Sequence, residues 1–201
     1  MSNSSKDNPS NSIPFTDAED SPWQTLSSQI KYENPWLQVR HNEVLNPQGN
    51  PGIYGLVHFK NQAALIIPID DQGNTYLVGQ YRYALQKYSW ELPKGGCPLG
   101  EDLLAAAKRE LKEETGLTAL RWEKLLESHL SNSVTDDFGV VYLAEDLSSG
   151  EQALEDTEDI TVKKVSLEQA IQMAYNGEIS DVLSQVALLK LALRRRVASK
   201  D

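Results

Sequence analysis

The stretch AALIIPI, residues 63–69, narrows the possible folds more than any other. It is long enough for a strand and carries no polar side chain. A strand with one wet face alternates apolar and polar residues. An unbroken apolar run of strand length fits a strand covered on both faces. Other strands surround it. WLQVRHNEVL (36–45) alternates and is rich in strand formers, NPQGN turns the chain, and IYGLVHF (53–59) returns. DDQGN makes the next turn before TYLVGQYRY (75–83). Leu103, Leu104, Ala107 and Leu111 recur at helical spacing and predict a helix over 101–115 with one buried face, ended by Gly116. GVVYLAEDL (139–147) and ITVKKVS (160–166) read as strands on either side of an acidic loop, 148–159. Helices are predicted over 166–176 and 179–196, the second ending in arginines that suit the negative end of its dipole. Strands mixed irregularly with three helices indicate an α/β layer fold, not a repeating βαβ series.

Composition limits the partners. The 201 residues suffice for one domain of ordinary size with a real core. A net charge of -10 argues against binding a nucleic-acid backbone, which calls for a basic surface. A small anionic substrate remains compatible if cations accompany it. Cys97 is the single cysteine, so no intrachain disulfide can form and a reducing compartment is compatible. No apolar run approaches a membrane span, and the polar start MSNSSKDNPSNS lacks the basic and apolar regions of a signal peptide. The expected home is the cytoplasm, with no membrane partner. Residues 1–20, rich in Ser, Asn, Asp and Pro, have little to bury and are expected to be disordered.

Chemistry concentrates in GGCPLGEDLLAAAKRELKEETGL, residues 95–117. Gly95 and Gly96 allow a sharp turn that leaves a carbonyl pointing inward. Glu101 opens the helix, where negative charge is favoured. Arg109, eight residues on, can pair with Glu101 or steer a neighbouring glutamate. Glu110, Glu113 and Glu114 fall on one side of the helix, opposite Leu111. Like charges at that spacing repel, so either water solvates them or a cation binds between them. Clustered hard oxygens suit Mg²⁺ or Mn²⁺. Alone, RELKEE is ordinary charged helix surface as often as it is a site.

The full spacing is G-x5-E-x7-R-E-U-x-E-E-x-G-U, with U apolar, met without departure by Gly95, Glu101, Arg109, Glu110, Leu111, Glu113, Glu114, Gly116 and Leu117. Its fixed positions would coincide by chance on the order of 10⁻⁸ per start position. This is the Nudix box, and the chain resembles a Nudix hydrolase. NPWLQVRHNEVLNPQGN, QYRY, WELPKGG, the late acidic loop and NGEISD resemble the ADP-ribose pyrophosphatase, or nucleoside diphosphate sugar, branch.

The resemblance implies an α-β-α sandwich with a mixed sheet and a small N-terminal antiparallel β subdomain. The implied organisation is a tail over 1–20, a subdomain for dimerisation and base binding over 21–60, and the hydrolase domain over 61–201. It implies Mg²⁺-dependent hydrolysis of a nucleoside diphosphate sugar to a nucleoside monophosphate and a sugar phosphate, by a homodimer. Metal ligands by position are Glu110, Glu114, Glu113 (directly or through water) and the backbone carbonyl near Lys94. Arg109 shapes the loop and helix. Trp36 and Tyr54 match base-stacking aromatics, Arg82 a phosphate-binding arginine, and Glu91 a pocket-lining position. Glu158 best matches the loop acid that serves as general base, with Asp156, Glu155 and Glu113 as alternatives. No proline occurs in SNSVTDD (131–137), where ADP-ribose enzymes of the branch typically carry one. Another diphosphate sugar therefore stands beside ADP-ribose. Other readings are a Nudix enzyme for dinucleoside polyphosphates, dinucleotide coenzymes or modified nucleotides, and a nucleotide-sensing module without turnover.

Overall fold

The computed structural model describes residues 17–154 and 159–198. Of the expected N-terminal tail, residues 1–16 lie outside the described residues. Asp17 is described, and its carboxylate accepts hydrogen bonds from the amide and hydroxyl of Thr25 at 2.6 and 2.8 Å. The chain divides into two compact units. The first is Met1–Lys60 with Ser131–Asp136, and the second is Asn61–Leu130 with Asp137–Asp201.

The first unit holds an antiparallel sheet of β1 (Gln24–Glu33), β2 (Leu37–Leu45) and β3 (Pro51–Phe59), in that order. The NPQGN turn forms as its composition predicts. The Asn46 side chain accepts from the amides of Gln48 and Asn50, and Gly49 takes a φ of 81°. β1 has no counterpart in the sequence reading. It is polar, mostly exposed and interrupted by two register shifts, all features of an edge strand. β2 alternates, but the buried set is Gln38, Arg40, Asn42 and Val44, while Leu37 and Val39 are only half-buried. Arg40 donates to Gln38 at 2.8 Å and Gln38 donates to Glu33 at 2.7 Å, so this row is held by hydrogen bonds.

The second unit is built around β4 (Asn61–Pro68). It lies in a mixed sheet with β7 (Lys94–Pro98), β9 (Phe138–Ser149) and β8 (Leu117–His129), in the order β7-β4-β9-β8. β4 runs parallel to β9, and the other pairings are antiparallel. A second sheet joins β10 (Thr161–Ser166), β5 (Asn74–Arg82) and β6 (Lys87–Glu91). The helices are α1 (Leu103–Thr115), α2 (Leu167–Tyr175) and α3 (Val182–Ala198). The apolar run has the expected role. Leu65 and Ile67 pack in a core with Ala170 and Met173 of α2 and Leu183, Leu188 and Leu191 of α3. Ala64 and Ile66 pack in a separate core with Ala106, Ala107 and Leu111 of α1. Helices thus cover both faces, and each fully buried Leu or Ile contributes about 1.5–3 kcal/mol. No helix among the described residues is long and apolar enough to cross a membrane.

Two local expectations change. The box helix starts at Leu103, because Asp102 caps it by accepting from the Ala105 amide at 2.8 Å. Glu101 therefore precedes the helix. Gly95 and Gly96 make no sharp turn either. They lie in β7, paired with Ala64 and Ala63 of β4.

Candidate active site

The box helix faces inward along Ala106, Ala107 and Leu111, and this draws Glu110 and Glu114 below the surface. Glu114 is 2% exposed and Glu110 7%. Carboxylates at that depth require hydrogen bonds or charge partners. β7 meets both. The Lys94 amide donates to Glu114 at 2.9 Å. Gly95 lies flat against Glu110, and a Cβ there would sit 1.9 Å from the Glu110 carboxyl carbon. Glycine is needed at this position for close approach, not for an unusual backbone angle. Arg109 closes the arrangement. One of its terminal nitrogens donates to Glu110 at 2.6 Å and Glu113 at 3.0 Å, and the other donates to the Gly96 carbonyl at 3.0 Å. Glu101 stands 3.9 Å from the same guanidinium.

A second charged network adjoins the first through Lys94. Arg82 forks onto Glu91 through bonds of 2.9 and 2.6 Å. The Lys94 ammonium reaches Glu91 at 3.0 Å and also pairs with Asp181. Burial alone would raise the Glu91 carboxyl, but Arg82 and Lys94 outweigh it and hold its pKa down at about 2. Asp181 caps α3 by accepting from the Ser184 amide at 2.9 Å. Arg82, Tyr83, Leu85, Ser89, Glu91, Lys94 and Asp181 line a cleft of about 360 Å³.

Glu110, Glu114 and Arg109 are brought together with the Lys94 amide, whereas the resemblance names a carbonyl near Lys94 as ligand. Glu113 stands beside them, bonded to Arg109. Glu91 was expected to line the pocket. It borders the cleft, but at 2% exposure its main contacts are with Arg82 and Lys94. Trp36 and Tyr54 belong to the first unit. Trp36 is 65% exposed. Tyr54 packs edge-on against Trp23 and donates to the Ser133 carbonyl. Glu155, Asp156 and Glu158 lie outside the described residues. The chain just before them is tied to the box helix, since Gln152 and Ala153 donate to the carbonyls of Glu114 and Glu113. Sequence reasoning gave no role to Asp181, the last residue of NGEISD, or to Ser184, three residues on.

Among the described residues, no group of three or more His, Cys, Asp or Glu side chains is placed to hold a metal ion. The residues that could hold a divalent cation are Glu110 and Glu114, hard donors one turn apart, with Glu113 next to them. A pair of carboxylates fits Mg²⁺, which keeps water or phosphate oxygens in its remaining positions. Phosphoryl chemistry with an acid nearby is what such an arrangement can support.

The chain matches the NUDIX domain over residues 60–184 and the nucleoside diphosphate sugar hydrolase N-terminal domain over residues 23–57. It is 32% identical over 179 residues to an ADP-ribose pyrophosphatase of Bacillus subtilis (strain 168), covering 88% of this chain and 96% of that protein. It is 30% identical over 171 residues to an ADP-ribose pyrophosphatase of Mycobacterium tuberculosis, covering 83% and 82%. The crystal structure of an ADP compounds hydrolase superposes with a TM-score of 0.77 at 20% identity, covering 89% of this chain and 95% of that one, a likeness of fold. The NUDIX match spans more than half of the chain and contains Glu110, Glu114 and the β7 backbone beside them, and by that measure the chain belongs to the Nudix hydrolase family.

Proposed function

We propose that this Nudix hydrolase splits the diphosphate linkage of a nucleoside diphosphate sugar, ADP-ribose or a relative of it. The products are a nucleoside monophosphate and a sugar phosphate, and Mg²⁺, or Mn²⁺ in its place, is held by Glu110 and Glu114. The observation that carries this reading is the seating of two buried carboxylates against the Lys94 amide and Gly95. The match at residues 23–57 and the pyrophosphatase relatives support the substrate class. The bound cation supplies charge for the phosphate oxygens and acidifies a water. Arg109 holds Glu110 and Glu113 in place despite their repulsion. The proton of the attacking water goes to a carboxylate, for which the resemblance favours Glu158, with Asp156, Glu155 and Glu113 as alternatives. Arg82, fixed by Glu91, offers the rest of its guanidinium to a phosphate. Trp36 and Tyr54 stack on the base within a homodimer, and the enzyme works in the cytoplasm.

The test is product formation by purified protein with Mg²⁺ or Mn²⁺. The panel holds ADP-ribose, ADP-glucose, GDP-mannose, UDP-glucose, NADH, a dinucleoside polyphosphate and 8-oxo-dGTP. A diphosphate sugar should yield a nucleoside monophosphate. Turnover of only the last three compounds would overturn the substrate class, and no turnover with either metal would overturn the activity. Light scattering tests the dimer, and a monomer would remove base stacking across subunits.

A further inference from the structure

We propose that Asp181 and Ser184, at the start of α3, are positioning residues that set the affinity of the metal site without touching it. The proposal rests on the reading of Glu110 and Glu114 as cation ligands. Residues 92–94 link β6 to β7, and each is fixed by a different element. The Leu92 amide donates to the Ser184 hydroxyl at 3.0 Å. The Pro93 carbonyl accepts from the Ile66 amide of β4 at 2.9 Å. The Lys94 amide donates to Glu114 of α1 at 2.9 Å. Gly95, the next residue, packs closely against the Glu110 carboxylate. The position of this short link therefore bears on both glutamates, on Glu114 through a hydrogen bond and on Glu110 through close packing.

Ser184 and Leu92 are fully buried, so water cannot take over the Leu92 amide. A serine hydroxyl has one proton and can donate or accept. Here its direction is forced. Ser184 Oγ lies 2.6 Å from Asp181 Oδ2, and an ionised carboxylate only accepts. The hydroxyl proton goes to Asp181, which leaves the oxygen lone pairs for Leu92. The other oxygen of Asp181 receives the Lys94 ammonium. One carboxylate thus orients the serine that holds Leu92 and also restrains the side chain of Lys94. The start of α3 grips the link at both ends.

The test is Mn²⁺ affinity, measured by calorimetry on the full chain without nucleotide, together with thermal unfolding. Ser184→Ala should weaken Mn²⁺ binding about tenfold, the loss typical of groups that support a metal ligand. Leu191→Ala, which removes buried packing from α3 well along the helix, should lower the unfolding temperature and leave Mn²⁺ affinity unchanged. That contrast separates positioning from general loosening of the helix. If Ser184→Ala does not fold, Asp181→Asn keeps the side-chain shape and is read in the same way. Glu114→Gln serves as the control for the site. Should Glu114→Gln bind Mn²⁺ like the parent, the metal reading itself fails. Should Glu114→Gln lose binding while the Ser184 or Asp181 variant keeps full affinity, the metal reading stands and the positioning role is overturned. Equal losses in the Leu191 and Ser184 variants would also overturn it.

Discussion

Two clusters of carboxylates lie side by side in the second unit and are neutralised in different ways. Glu91 and Asp181 meet Arg82 and Lys94, two acids with two bases, in bonds that fork or bridge. In the box, the single guanidinium of Arg109 contacts Glu110 and Glu113 and stands near Glu101. In the first cluster the acids are paired by basic side chains of the same network. The second places several acids around one base and has hard oxygens suited to an incoming cation. Burial does not distinguish them, since Glu91 and Glu114 are both 2% exposed. The two clusters share a field, since Glu114 as well as Glu91 raises the Arg82 pKa, and they differ in the side-chain ion pairs that their acids make.

That contrast makes opposite demands on two similar substitutions. Glu91→Gln should cost about 3 kcal/mol of stability, the low end for breaking a buried pair because Arg82 keeps some solvent. Chemical denaturation would show it. Glu114→Gln should lower hydrolysis by at least about 100-fold, the upper end of what even a supporting residue costs. Its melting temperature should hold or rise. Equal stability losses in both variants would erase the distinction. Gly95→Ala should weaken Mn²⁺ binding about tenfold, because the new methyl displaces Glu110, as seen by calorimetry. A further difference should appear in acid. Glu91 titrates at about 2 in the folded protein against an ordinary 4.5. It therefore adds stability above its unfolded pKa, and that share is lost as the pH falls from about 4.5 toward 2. Urea titrations across this window should show a shallower decline for Glu91→Gln than for the parent.

The layered fold was legible where the pattern was extreme. AALIIPI had to be covered on both faces, and it is. The box announced its glutamates by spacing. β1 was not legible, since an edge strand with wet faces carries no apolar signal. β2 could be recognised as a strand, but its buried row is Gln38, Arg40 and Asn42, and hydrophobicity would choose the opposite face. Gly95 suggested a turn because glycine commonly supplies one. Its actual task, leaving space for Glu110, depends on a contact between β7 and α1. Asp181 and Ser184 lie far along the chain from residues 92–94, and no local pattern links them.

The segment Ser131–Asp136 bears on how the molecule is made. It lies between β8 and β9 yet belongs to the first unit. Val134 and Asp136 bind the backbone of β3, and His58 pairs with Asp136. A ribosome releases the β1-β2-β3 meander long before it adds these residues. During that interval the outer side of β3 lacks this partner and presents an open strand edge. The unit that comes first in the sequence is therefore completed late in synthesis, and the nascent chain carries an exposed pairing surface until Asp136 has emerged.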